Sequence, residues 1–76
     1  MDNTQYTAYS QGSTVRIYNA LTGVMVLMRD VGDQIISCVC AGNTLTLTVQ
    51  VAATTKYLKV YKLPSFELVN SMSISN

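Results

Sequence analysis

The chain has 76 residues, a formal net charge of +1, no histidine, 49% hydrophobic residues and 12% charged residues. That length allows one domain with a small core. The missing histidine excludes His-based triads and His-containing metal sites, and the dispersed, near-neutral charge excludes a nucleic-acid footprint.

From the N-terminus, Met1-Asp2-Asn3-Thr4-Gln5 is polar and lacks the basic and apolar regions of a secretory leader. This predicts a protein made and kept in a cytoplasm, or released by a route other than secretion, for instance in a virion. No apolar run reaches the ~18 residues needed to span a bilayer.

Period two then dominates the chain. Strands are predicted at Gln5 to Ser10, Thr14 to Asn19 and Val24 to Arg29. Gln11-Gly12-Ser13 and Ala20-Leu21-Thr22-Gly23 form the turns between them. Val24 to Met28 is continuously apolar and fits a short helix by periodicity alone, but its length and flanking turns predict a strand buried on both faces. After Asp30-Val31-Gly32-Asp33, Ile35 to Cys40 and Thr44 to Val51 predict a hairpin around Ala41-Gly42-Asn43. Leu45, Leu47, Val49 and Val51 share one face, which is expected to be buried with Ile36 and Cys38 near it. Lys56 to Lys62 and Glu67 to Ile74 complete about seven short strands, with Leu63-Pro64-Ser65 between the last two. The fold class is therefore all-β: an antiparallel meander forming a single domain over 1–76, with a small β-barrel or sandwich as the alternative closure.

An internal repeat lies at an offset of 43 residues. Thr14-Val15-Arg16-Ile17-Tyr18-Asn19 lies over Tyr57-Leu58-Lys59-Val60-Tyr61-Lys62; farther on, Thr22 matches Ser65, Met25 matches Leu68 and Val26 matches Val69. A four-stranded propeller blade repeats at roughly 40–45 residues. Ser13 to Gly23 resembles the third strand and turn of a WD-repeat-type blade: a small residue, an apolar–basic–apolar run, an aromatic, a polar residue, then Thr-Gly. The family's Trp-Asp and Gly-His pairs are absent, with Tyr18-Asn19 and Tyr61-Lys62 in place of the former. The resemblance implies two blade-like units, about 5–31 and 35–74, with one strand missing from the first. It is similar to the plan of small lectins that place two blades in each chain and close a six-bladed ring as trimers.

Four acids are present: Asp2, Asp30, Asp33 and Glu67. Asp30 and Asp33 share a turn but fall short of the six to eight oxygen ligands a calcium ion takes, so solvated turn residues are expected. Cys38 and Cys40 lie two apart on one strand and point to one face. At about 6.5 Å between Cα atoms they are poorly placed for a disulfide; buried small hydrophobes are expected. No catalytic set, metal site or cofactor site is predicted. Tyr18 and Tyr61, with Arg16 and Lys59, occupy matched repeat positions and are the candidate ligand or interface residues. Tyrosine pairs a flat apolar ring with a hydroxyl, which suits both sugar stacking and interface anchoring.

Charged residues are about half the usual share of a soluble domain, and Thr, Ser, Asn and Gln fill the polar positions. Such a surface packs against copies of itself with little desolvation of charge. The expectation is a non-enzymatic structural or assembly module, self-associating into a ring, with a trimer favoured, or docking on a larger and possibly viral particle. By composition alone it resembles small bacteriophage structural proteins. A glycan-binding, lectin-like oligomer is the alternative, followed by an adaptor or inhibitor acting through an edge strand. No nucleic acid or membrane partner is expected. Residues 72–76 are expected to fill an open sheet position in a neighbouring chain.

Overall fold

The structure, a computed structural model, describes residues 5–75. Residues 1–4, on which the leader reading rests, and Asn76 lie outside that range. Seven strands follow in order: β1 (Tyr6–Gln11), β2 (Thr14–Asn19), β3 (Met25–Asp30), β4 (Gln34–Ala41), β5 (Thr44–Ala52), β6 (Thr55–Lys62) and β7 (Glu67–Ser75). All pairs are antiparallel. They form two meanders, a three-stranded sheet β1-β2-β3 and a four-stranded sheet β4-β5-β6-β7, and no barrel closes.

Alternation decides which face is buried, because residues paired across a ladder share a face. Val15 and Ile17 of β2 carry the inner face of the three-stranded sheet, with Tyr6 and Ala8 of β1 beside them. They pack against Leu45, Leu47 and Val49 of β5 and Tyr61 of β6. Ile35 and Leu63 complete the buried core. Hydrogen bonds tie the two sheets together at the turns: Tyr6 N–H donates to Gly42 O at 3.1 Å, and Ile35 N–H donates to Gly12 O at 2.8 Å.

Bulges break the alternation, and two of them account for departures from the sequence expectation. The β4–β5 register shifts between Ile35 and Ser37. The extra residue, Ile36, is left exposed while Ile35 takes the core position. The β5–β6 register shifts between Gln50 and Ala52, and Val51 is exposed rather than buried with Val49. A third shift lies on β3 opposite Ile17 and Tyr18. That strand is not buried on both faces: Met25, Val26 and Met28 are exposed, because β3 is an edge strand of a sheet whose outer face is uncovered.

The C-terminal strand also departs from expectation. Residues 72–75 pair with β6 of their own chain, from Leu58↔Met72 to Thr55↔Ser75. They complete the four-stranded sheet within the chain.

The offset-43 repeat is present in the backbone. Tyr18↔Met25 in one sheet corresponds to Tyr61↔Leu68 in the other, and Val15↔Arg29 to Leu58↔Met72. The skipped residues, Val26 and Val69, are themselves repeat partners. The tight turns before them match as well. Gly23 has φ 75° and Phe66 has φ 60°, so the same turn position adopts the left-handed conformation in both units. Through the ladders, β1 corresponds to β5, and among the described residues no strand of the three-stranded sheet corresponds to β4.

Candidate functional site

Tyr18 and Arg16 lie together on the outer face of the three-stranded sheet. Thr7, Tyr9, Arg16, Tyr18, Asn19, Ala20 and Gly23 line a shallow open recess of about 460 Å³ there. The register explains the grouping: Thr7 pairs with Tyr18 and Tyr9 with Arg16 across β1 and β2, so all four side chains share one face. The Tyr9 and Tyr18 rings meet edge to face, with centroids 5.7 Å apart at 70°.

The β2–β3 turn forms one wall. Asn19 Oδ1 accepts hydrogen bonds from Leu21 N–H at 2.8 Å and Thr22 N–H at 3.2 Å. Gly23 N–H donates to Asn19 O at 2.8 Å, and Thr22 Oγ1 accepts from Val24 N–H at 3.2 Å. These bonds hold Gly23 against the recess. Asn and Thr are turn residues for this reason, since their short side chains bond the nearby backbone.

Tyr61 and Lys59 are placed differently. Tyr61 is a buried core residue facing the three-stranded sheet, and burial pushes its phenol pKa up. Its ring stacks on Phe66, with centroids 4.3 Å apart and planes 21° apart, and the Arg29 guanidinium lies 6.0 Å from the Phe66 centroid. Lys59 pairs with Leu47 and shares that inner face, half-buried. The matched pairs therefore do not form two like pockets. The face that is free in one unit is covered in the other.

Sequence reasoning overlooked Tyr9 and Gly23 as recess residues. Tyr9 follows from register once β1 is paired with β2, and Gly23 from its alignment with Phe66.

Cys38 and Cys40 are free thiols on the inner face, opposite Leu47 and Leu45, and both are half-buried. Burial raises both thiol pKa values, and Cys40 adds a Coulombic contribution at Cys38. Cys40 Sγ donates to Tyr6 O at 3.0 Å, bridging the two sheets. Asp30 Oδ1 accepts from Gly32 N–H at 2.9 Å; that bond and a second from the Ser13 side chain lower its pKa. Among the described residues no group of three or more potential metal ligands comes together, and no helix is long and apolar enough to cross a membrane.

The second uncovered surface is the outer face of the four-stranded sheet. Val39, Thr46 and Val60 lie in one row across it, and Ser37, Thr48, Leu58 and Met72 in the next. Val39 and Met72 are 57% and 50% exposed.

Comparison with protein-family models, with curated proteins and with solved structures finds no match.

Proposed function

We propose that this chain is a non-enzymatic assembly module that self-associates through its two free sheet faces. One contrast carries the reading. Val15 and Ile17 are fully buried, whereas their repeat partners Leu58 and Val60 lie half-buried on an uncovered face. A face built like a core face has a pronounced tendency to find a cover. Thr46 and Thr48 beside them are cheap to desolvate compared with charged residues.

The two free faces differ from each other, so contact between them is heterologous; such contacts close into rings when the rotation permits. A ring of three chains is the favoured form, as the two-unit plan implies, with docking on a larger particle as the other route to coverage. Sedimentation of the full chain over a wide concentration range tests this. A species heavier than one chain supports the reading, and a single-chain species throughout overturns self-association.

The recess favours a second reading, a carbohydrate-binding protein. Tyr9, Tyr18 and Arg16 offer ring faces and a hydrogen-bond donor to a sugar. Glycan-array binding that is lost in Tyr18→Ala supports it, and an array without signal removes it.

A further inference from the structure

Within the chain, the inner face of the three-stranded sheet packs on the inner face of the four-stranded sheet. The repeat maps each of these faces onto the opposite, uncovered side of the other sheet. Val15, Ile17 and Arg29 map onto Leu58, Val60 and Met72 of the outer four-stranded face. Lys59, Tyr61 and Leu68 map onto Arg16, Tyr18 and Met25 of the outer three-stranded face. The two free faces are thus related as the two buried faces are.

The recess has a definite origin in this relation. Over Tyr61 the slot is filled by Phe66, with Arg29 reaching across from the facing sheet. Over Tyr18 the corresponding residue is Gly23, which has no side chain, and the slot stands open. The residue corresponding to Arg29 is Met72, exposed on the free face of the four-stranded sheet.

We infer that a second copy of this chain sets its outer four-stranded face on the first copy's outer three-stranded face, head to tail, and that the second copy's Met72 enters the recess over Tyr18. The inference rests on the self-association reading and adds the Met72 anchor and the equivalence of this contact to the buried one. Methionine suits the slot: it is unbranched, fills irregular gaps and makes favourable contacts with aromatic rings. The recess is incomplete without it, since Gly23 leaves one side of the Tyr18 ring bare. The free faces carry Thr7, Tyr9, Thr46 and Thr48 where the buried ones carry Leu45, Leu47, Ala8 and Ser10. The contact between copies is accordingly more polar than the contact within a chain, which suits units that fold first and associate afterwards.

The test is a mixing experiment with two full-length variants. Tyr9→Glu with Met28→Glu blocks the three-stranded free face, and Val39→Glu with Met72→Glu blocks the other. All four positions are exposed, so both chains are expected to retain the parent circular dichroism spectrum. Each variant alone is expected at the mass of one chain, at a concentration where the parent is heavier. An equal mixture is expected to give a species of twice the chain mass and no more, because only one contact remains possible. If the parent associates but either variant keeps the parent mass, or the mixture stays at one chain, the head-to-tail contact is wrong while self-association stands. A parent that sediments as a single chain removes both. Gly23→Phe reads the recess directly and does not depend on the charged variants folding. It places in the slot the ring that position 66 already carries at positive φ, and association is expected to weaken at least tenfold. Unchanged association would remove Met72 from the recess.

Discussion

Leu47 sits in the middle of the inner row of β5, fully buried between Cys38 and Lys59 of the flanking strands. Truncation there leaves a cavity that two thin sheets cannot readily collapse. Leu47→Ala is expected to lower unfolding free energy by about 2–5 kcal/mol in urea denaturation; a variant as stable as the parent would contradict the assigned core. Asp30 offers a test of sign. Hydrogen bonds from Gly32 N–H and Ser13 hold its folded pKa below the ordinary value of 3.8. Its contribution is therefore fully present above about pH 4, the unfolded value, and is lost as pH falls through the lowered folded value. The melting-temperature gap between parent and Asp30→Ala should be constant near neutrality and shrink in acid below about pH 4. A gap that widens in acid would contradict those hydrogen bonds. Alternation alone identified Leu45, Leu47 and Val49, but it could not separate Ile35 from Ile36. Both are large and β-branched, and only the bulge decides which one faces the core.

At the scale of elements, the turn before β7 sets two effects against each other. Phe66 stacks on Tyr61, a contact worth about 0.5–1.5 kcal/mol beyond burial. It does so at φ 60°, where a residue with a Cβ is disfavoured by about 1–2 kcal/mol. Phe66→Ala keeps the strain and loses the ring, so it is expected to destabilise by about 2 kcal/mol. Phe66→Gly loses the ring but relieves the strain, and should be milder by about 1 kcal/mol. Denaturation midpoints that place the glycine variant below the alanine variant would contradict this balance. The existence of all seven strands was legible, because period two and turn residues are local signals. The exposure of β3 was not. An apolar run such as Val24 to Met28 reads the same whether a neighbour covers it or not, and coverage is a property of the whole sheet arrangement.

At the scale of the molecule, the repeat was legible at Tyr18 and Tyr61 as sequence. Its consequence was not, because equivalent residues occupy opposite situations: Tyr61 in the core and Tyr18 on a free face. The clustering of Tyr9, Arg16 and Tyr18 depends on register and on Gly23, neither of which the spacing of residues along the chain expresses.

That two-faced design is the central claim, and the absolute mass of the full chain by light scattering, at tens of micromolar, tests it most directly. A mass well above the 8.3 kDa of one chain is expected, with three times that value as the favoured result. A folded, monodisperse protein of 8.3 kDa that stays so on further concentration would contradict it.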